Sequence, residues 1–230
     1  MIVRIGLGPR RRGISPEEFS THWTETHAKL GSLLVGLRRY VQNRPITQAK
    51  PPLLPTPAFD YCSEVVFDTV ESMATAFESD HYRRNVLEDE RGLIDHSRQS
   101  RVTTEGVVLV DGATSLNSIK LITFLRLHPA SCREDLIAAM RGPYATIVAE
   151  TNPQRHEQLI ALTETDVGHP QACDAVDQIW FRSYRQVVSH FRSDVALRAA
   201  SELEGRAFGT VSFLCRPVTI VDNTVLAQNE

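Results

Sequence analysis

A short motif occurs twice in this chain, and this repetition constrains the fold more than any other feature of the sequence. Phe77-Glu78-Ser79-Asp80 recurs as Phe191-Arg192-Ser193-Asp194. On the same offset, Val65 aligns with Ile179, Phe67 with Phe181, and Arg84 with Arg198. The matches extend over a strand-like stretch and a helix-like stretch. They indicate that the second half of the chain repeats the architecture of the first.

Each half is predicted to contain four strands and two helical regions in the order βαββαβ. This order is the split βαβ pattern of a ferredoxin-like unit. In the first half the predicted strands are 2–8, 37–46, 60–68 and 103–111. The helical regions are 15–33 and a second one over 69–82 and 84–97, with a break near His81. In the second half the predicted strands are 118–127, 154–164, 176–182 and 209–221, and the helices are 131–149 and 183–204. A four-stranded sheet with helices on one face leaves its other face exposed and needs a partner.

The helix predicted over residues 15–33 begins with clear signals. Ser15 is a favourable N-cap, and Pro16 suits the first helical position. Two glutamates then place negative charge at the positive end of the helix dipole. A narrow apolar stripe follows at helical spacing, formed by Phe19, Trp23, Leu30 and Leu34.

His22 and His27 lie at the two edges of this stripe. On a helical wheel with Phe19 at zero and about 100° per residue, His27 falls at about 80° and His22 at about −60°. Each histidine is therefore expected at the boundary between helix and sheet, where a cleft could open. The two are not the i, i+4 pair that one face of an α-helix presents, so their spacing does not indicate a zinc site.

The pattern F-x-x-H-W-x-x-x-H-A over residues 19–28 is followed by L-R-R-Y-V-Q-N over residues 37–43. Together these patterns resemble the opening of the EthD family. The resemblance implies a dimeric α+β barrel, in which the open faces of two ferredoxin-like sheets pack together. In that family the partner sheet comes from a second subunit, whereas here the second repeat would supply it.

The predicted fold class is α+β, with two ferredoxin-like βαββαβ repeats forming an intramolecular dimeric α+β barrel. The first repeat is predicted to span residues 1–112 and to contain the candidate cleft. The second, more degenerate repeat spans residues 113–230, after a linker near Asp111–Asn117. A homodimer of the fused barrel is a further expectation.

His27 and Tyr40 are the predicted catalytic residues. An imidazole titrates near neutral pH, so His27 can act as a base and then as an acid. Tyr40 could donate a hydrogen bond to a developing enolate or phenolate oxygen. Strand alternation places Arg38, Tyr40 and Gln42 on one face, which would supply a cation and two hydrogen-bonding groups if that face meets the helix. The predicted substrate-binding residues are His22, Trp23, Arg38 and Gln42.

These residues also have ordinary structural explanations. His22 could be a helix-edge residue bonded to a carbonyl, and Trp23 could belong to the core. Tyr40 could be one of the aromatic residues that are common in strands. Arg38 and Arg39 could form a solvated strand edge.

The second half aligns with the first without its histidine pair. One active cleft in the first half is therefore favoured, and a second site around Tyr144 and Glu157 is the alternative. The alignment places Ala139 opposite His22, Met140 opposite Trp23, Tyr144 opposite His27, Arg155 opposite Arg38, and Glu157 opposite Tyr40.

Residues 47–58 carry four prolines, which cannot donate to a sheet ladder. This segment is predicted to be a long surface connection near the rim of the first cleft, where it would act as a lid. The prediction fails if the segment lies away from His27.

Charge and motifs exclude several classes of function. A net charge of −3 gives no electrostatic reason to expect nucleic acid or an anionic membrane as a partner. No apolar run approaches the ~20 residues of a membrane span, and no leader pattern precedes the first strand. A cytoplasmic location is expected. The four cysteines are far apart, which predicts free thiols rather than zinc ligands or disulfides.

The chain also lacks a glycine-rich phosphate loop, a GxSxG elbow and a Cys–His nucleophile pattern. No cofactor and no metal are therefore predicted. The expected function is that of an isomerase, cyclase, dehydratase or decarboxylase acting on an aromatic, polyketide or lactone-type small molecule. The EthD resemblance supports this expectation, because members of known activity include a muconolactone isomerase. The alternatives are a haem-binding or cofactor-free monooxygenase, with a histidine as axial ligand in the haem case, and a non-catalytic small-molecule-binding protein.

Overall fold

Eight strands form one closed antiparallel barrel in a computed structural model that describes residues 1–46, 53–162 and 172–224. The strands are β1 (Ile2–Gly8), β2 (Arg39–Pro45), β3 (Tyr61–Phe67), β4 (Ser100–Asp111), β5 (Ile119–Leu127), β6 (Arg155–Ala161), β7 (Ala175–Phe181) and β8 (Ala207–Asp222). Their order around the barrel is β1-β3-β2-β8-β5-β7-β6-β4.

Each half contributes one four-stranded ferredoxin-like sheet to this barrel. The first half runs β4-β1-β3-β2 and the second runs β8-β5-β7-β6, so the two orders are the same. The sheets join where β2 pairs with β8 and where β4 pairs with β6. The predicted fold class is therefore confirmed. The proposed boundary between residues 112 and 113 falls in the connection between β4 and β5.

The helices of each half follow its first and third strands. They are α1 (Pro16–His22), α2 (Ala28–Ser32), α3 (Val70–Glu78), α4 (Leu87–Leu93), α5 (Arg133–Ala139), α6 (Ala145–Ala149), α7 (Tyr184–Arg192) and α8 (Val195–Leu203). Ser15 caps α1 in a capping box with Glu18, as the sequence pattern predicts. Within the described residues, no helix is long and apolar enough to span a membrane.

A π-helical turn interrupts the first helical region of each half at the matching place. Trp23–His27 joins α1 to α2, and Met140–Tyr144 joins α5 to α6. In each half a strand glutamine fixes the turn. Gln42 Nε2 donates to the carbonyl of Trp23, and Gln158 Nε2 donates to the carbonyl of Met140, both at 2.8 Å.

The repeated motif ends the next helix of each half in the same way. Ser79 Oγ donates to the carbonyl of Ala76, and Ser193 Oγ donates to the carbonyl of His190. Both serines leave the helical conformation and have extended backbone. The motif therefore encodes the turn between two helical segments.

The barrel interior combines an apolar cluster with a buried polar network at the junction of the two halves. Glu64 on β3 accepts hydrogen bonds from Lys120 Nζ at 2.5 Å, Asn43 Nδ2 at 2.7 Å and Gln178 Nε2 at 2.8 Å. Lys120 also lies 4.3 Å from the ring centroid of Trp180. Burial favours the neutral form of Glu64, but the charge and hydrogen bond of Lys120 outweigh it and lower the pKa of the carboxyl group.

Residues 53–58 of the proline-rich segment do not cover the first cleft. Residues 47–52 lie outside the described part of the chain. Leu53 and Leu54 pack against the helix-facing core of the second half, and Phe59 packs against Phe213 of the barrel interior at 4.8 Å. None of residues 53–58 lines the cavity beside His27. Residues 53–58 form an irregular connection, as the prolines predict. The lid prediction is wrong for Leu53 and Leu54, because they pack against the apolar core of the other half. The four cysteines are free thiols, as predicted.

Candidate functional site

A cavity of about 80 Å³ lies between the helices and the sheet of the first half, and His27 and Trp23 line it. Tyr40, Tyr61 and Tyr82 contribute further walls. Small-molecule sites typically have volumes of about 300–1,000 Å³, so this conformation is closed around His27. The cavity lies at the boundary between helix and sheet that the sequence pattern predicts.

Asp89 on α4 holds both histidines of the first helical region. His27 Nδ1 lies 2.9 Å from one carboxylate oxygen, and His22 Nε2 lies 2.5 Å from the other. His27 is buried, whereas the His22 side chain is 43% exposed. The hydrogen bond to Asp89 orients the His27 ring and leaves Nε2 as its second proton-transfer atom. His22 lies on the outer side of the carboxylate.

The π-helical turn explains why two residues five positions apart reach one carboxylate. In an α-helix their side chains would diverge by about 140° at 100° per residue, as the wheel predicts. A π-turn bonds residue i to residue i+5, so these two positions come close to the same face. Asp89 was not identified from the sequence because no local pattern links it to either histidine.

Asp89 has a lowered pKa. Burial acts to raise it, but the hydrogen bonds from His27 and His22 outweigh that effect, and the charges of the two rings act in the same direction. The carboxylate is therefore ionised at neutral pH. It can stabilise a protonated His27 ring.

We expect Asp89→Asn to reduce stability at neutral pH and to weaken its dependence on pH in the acid range. A carboxyl group whose pKa is lowered by folding contributes stability above its unfolded pKa, and this contribution is lost as pH falls through the folded pKa. Denaturant unfolding from neutral pH to well below the ordinary aspartate pKa of about 3.9 measures the effect.

The difference between wild type and Asp89→Asn should shrink toward the lowest pH. Asp80→Asn is the matched control, because the Asp80 side chain is 78% exposed. A difference for Asp89→Asn that stays constant down to the lowest pH would contradict a stabilising role of the ionised carboxylate.

Tyr40 and Gln42 face the helices, as strand alternation predicts. The Tyr40 hydroxyl accepts a hydrogen bond from Gln42 Nε2 at 3.2 Å, and its ring lines the cavity. Burial raises the pKa of Tyr40 to about 12, so the phenol is protonated at neutral pH and can donate. A Cβ atom on Gly31 would lie 3.0 Å from the Tyr40 ring, so glycine permits this close packing. Gln42 does not line the cavity; it holds the π-turn and Tyr40.

Charged residues outside the predicted set also line the cavity. Arg4 on β1 and Arg101 on β4 contribute two cations, and Glu90 on α4 contributes one carboxylate. The Arg4 guanidinium lies 4.8 Å from the ring centroid of Phe77, and Arg101 bonds to Gln99. An arginine among the apolar residues of β1 was the available sequence signal for Arg4. The cations favour an anionic group in the cavity.

Three buried polar atoms around this cavity have no hydrogen-bond partner among the described residues. They are Trp23 Nε1, Tyr61 Oη and Glu90 Oε2. Unsatisfied buried groups are rare in folded proteins because each costs about 1–3 kcal/mol. All three residues line the cavity, so a ligand with hydrogen-bonding groups could satisfy them.

Residues 11–97 match the family model of the EthD domain. The matched range contains His22, His27, Tyr40 and Asp89. The match lies within the first repeat, which we refer to as the EthD domain. A comparison with functionally curated proteins yields no significant match by sequence.

Solved structures of other proteins resemble the chain along almost its whole length. An anthrone oxidase-like protein shares 10% identity over 96% of this chain and 94% of its own, with a TM-score of 0.62. A candidate monooxygenase from Lactobacillus acidophilus NCFM shares 11% identity over the same fractions, with a TM-score of 0.58. A variant of chlorite dismutase from Candidatus Nitrospira defluvii shares 8% identity over 95% of this chain and 91% of its own, with a TM-score of 0.56. At these identities the likeness shows the dimeric α+β barrel fold alone.

Arg38 lies outside the cavity of the EthD domain. It precedes β2, and its guanidinium pairs with Asp68 at 2.6 Å on the surface. Arg39 turns instead toward the barrel interior, 3.9 Å from Glu157. The prediction that Arg38 supplies a cation to the cleft is therefore wrong, because the strand begins one residue after it.

The alignment of the two halves along β2 and β6 is also corrected by one residue. Tyr40 pairs with Val65, and His156 pairs with Ile179, which is the repeat equivalent of Val65. His156 therefore occupies the place of Tyr40, and Glu157 faces the barrel interior. The second half therefore keeps a histidine–carboxylate pair on its helix-facing side, where His156 Nε2 lies 2.8 Å from Asp177.

Haem does not fit the cavity of the EthD domain. A porphyrin is much larger than the space of about 80 Å³ that this conformation leaves beside His27. Across the described residues, no cluster of three or more His, Cys, Asp or Glu side chains has the arrangement of a metal site.

Proposed function

We propose that the EthD domain of this chain catalyses proton transfer on an enolisable or phenolic small molecule of the aromatic, polyketide or lactone type. The observation that carries this proposal is the buried His27–Asp89 pair, whose imidazole lines a closed cavity together with two arginines. A histidine oriented by a carboxylate is suited to general acid–base catalysis at neutral pH.

In the proposed reaction, His27 removes a proton from the carbon or hydroxyl next to a carbonyl or aromatic ring. Asp89 stabilises the imidazolium that forms. The positive potential of Arg4 and Arg101 stabilises the resulting enolate or phenolate oxygen, and the protonated Tyr40 hydroxyl can donate to it. His27 then returns the proton to a different atom, which completes an isomerisation or prepares loss of a leaving group.

Reaction of the same anion with O₂ is the second candidate. Relatives in fold include an anthrone oxidase-like protein and a candidate monooxygenase, and these names motivate the comparison. The apolar walls of the cavity also support this candidate, because they exclude water from the anion. Both candidates require His27 as the base, and they differ in whether oxygen is consumed.

A substrate screen under two atmospheres tests the proposal. The purified chain is incubated with enolisable lactones, anthrones and phenols, in air and under nitrogen, in D₂O. Acid–base catalysis predicts incorporation of deuterium at the acidic carbon under both atmospheres. An oxygenase predicts product formation and oxygen uptake in air alone. No exchange and no turnover with any of these classes would overturn both candidates.

Gly6→Val is expected to weaken substrate binding in the EthD domain while leaving the fold intact. Gly6 lines the cavity on β1, and a Cβ atom at this position meets no heavy atom within 4 Å. The valine side chain would therefore fill space that the substrate needs, without a clash in the protein. We expect KM to rise at least tenfold, with His27 and Asp89 still paired.

Thr123→Val is the matched control, because Thr123 occupies the place of Gly6 in the second half. Steady-state kinetics of both variants on the screened substrate measure the effect. An unchanged KM in Gly6→Val would show that the substrate does not use this cavity.

A further inference from the structure

The second half has its own cavity at the place equivalent to the cavity of the EthD domain, and it is much larger. Its volume is about 540 Å³, and it lies between β5, β7 and β8 and the helices α6 to α8. This volume falls within the range of about 300–1,000 Å³ that is typical of small-molecule sites. We refer to it as the second cavity.

The register of the two sheets explains the difference in size and polarity. Arg4 pairs with Val65 and Leu121 pairs with Ile179, so Leu121 replaces Arg4. Arg101 pairs with Gly6 of β1, and Ser212 pairs with Thr123 of β5. Because Thr123 is the equivalent of Gly6, Ser212 replaces Arg101. Both arginines of the first cavity are thus replaced by uncharged side chains.

Smaller side chains also open the second cavity on its helical side. Ala196 occupies the position of Tyr82 on the offset set by the repeated motif. It lines the second cavity, as Tyr82 lines the first. Glu204 is the one charged residue among those that line the second cavity in the described chain, and it is exposed at the margin.

His190 is a polar addition to this otherwise apolar space. It occupies the position of Ala76 in the first half, lines the second cavity and is 6% exposed. Its Nδ1 atom has no hydrogen-bond partner among the described residues. Burial lowers the pKa of His190 despite the nearby Asp177 charge, so the ring is neutral at neutral pH. A buried neutral imidazole with an unsatisfied nitrogen calls for a hydrogen bond from outside the described chain.

Tyr144 supplies a second polar group to the same space. Its hydroxyl donates to Asp177 at 2.7 Å, and Asp177 is also bonded to His156. The Tyr144 proton is therefore committed to Asp177, while the oxygen can still accept a hydrogen bond from a ligand.

We propose that the second cavity binds an uncharged aromatic or alicyclic molecule whose single hydroxyl or carbonyl group bonds to His190. Apolar walls favour a ring, and the absence of a lining cation among the described residues disfavours a carboxylate or a phosphate. This site is separate from the EthD cavity and does not depend on the function proposed for it.

Isothermal titration calorimetry with 1-naphthol and 1-naphthoate tests the proposal on the full chain. The two probes share a ring system and differ in charge. We expect 1-naphthol to bind to the wild type and, with unchanged affinity for the second cavity, to Gly6→Val. We expect 1-naphthoate to bind at least tenfold more weakly at this site, because it must lose hydration without gaining a cation.

Three variants locate the site. Ala196→Tyr installs the side chain that the first half has at this place, and Ala200→Tyr adds the same side chain at a second lining position. Each should weaken 1-naphthol binding at least tenfold. His190→Phe should weaken it about tenfold, because it keeps an aromatic ring at this place and removes one hydrogen bond. Ala113→Tyr makes the same change at an exposed position and should leave binding unchanged. Circular dichroism checks that each variant is folded.

The proposal is overturned if both cavity-filling variants bind 1-naphthol like the wild type, or if Gly6→Val abolishes binding. Equal affinity for 1-naphthoate would overturn the assigned ligand class, as would absence of binding by 1-naphthol. Visible absorption from a coloured macrocycle in the purified chain would also overturn it.

Discussion

Replacement of His27 by alanine is expected to reduce turnover by about 10²–10⁴-fold while the chain remains folded. Proton transfer by a positioned side chain contributes about this factor to catalysis. The imidazole of His27 lines the EthD cavity and is oriented there by the Asp89 carboxylate. The measurement is kcat on a substrate from the screen, with circular dichroism as the test of folding.

Two comparison variants test whether the loss of turnover is specific to His27. His22→Ala removes the other histidine bonded to Asp89. It should affect turnover much less, because this ring is 43% exposed and does not line the cavity. Tyr144→Phe removes one hydroxyl at the matching place in the second half and should leave turnover near the wild-type value. A fully active His27→Ala variant beside a stable, inactive Tyr144→Phe variant would move the catalytic site to the second half.

Lys120→Met is expected to lower the free energy of unfolding by about 3–5 kcal/mol. Removing one partner of a buried ion pair leaves an uncompensated charge, and losses of this size are typical. Lys120 and Glu64 are both at most 1% exposed. They come from different halves of the chain, so the loss should appear in the cooperative unfolding of the whole barrel. Denaturant unfolding at neutral pH measures it.

The double variant Glu64→Gln with Lys120→Met should regain part of this loss. A neutral glutamine no longer requires a counter-ion, and it can keep hydrogen bonds from Asn43 and Gln178. Arg84→Met is the surface control, because the Arg84–Asp80 pair is largely exposed and should contribute little. If Lys120→Met is as mild as Arg84→Met, the buried pair does not hold the two halves together.

The sequence alone determined the architecture because its signals are local and repeated. The N-cap at Ser15, the strand alternation around Tyr40 and the Phe-x-Ser-Asp motif each depend on neighbours a few residues away. These signals predicted the βαββαβ order in both halves. The same local pattern placed His27 at the boundary between helix and sheet, and it lines the cavity there.

The tertiary structure decided which groups meet around that histidine. A wheel with a constant turn per residue separates His22 from His27, whereas the π-turn held by Gln42 brings both to Asp89. Asp89 lies 62 positions after His27 in the chain, and no local pattern links positions so far apart. The sequence predicted a cation from Arg38, but the start of β2 at Arg39 leaves that residue on the surface.

Strand register decided the comparison between the halves. A shift of one residue moves every side chain of a strand to the opposite face, so aligning Glu157 with Tyr40 hid the helix-facing His156. The size of each cavity depends on side chains from three strands and several helices together. Ala196 takes the place of Tyr82, and Leu121 takes the place of Arg4. These differences change the size of the cavity because both positions line the same space in the folded chain. The sequence determined two equivalent frameworks, and packing between distant residues made one cleft closed and charged and the other open and apolar.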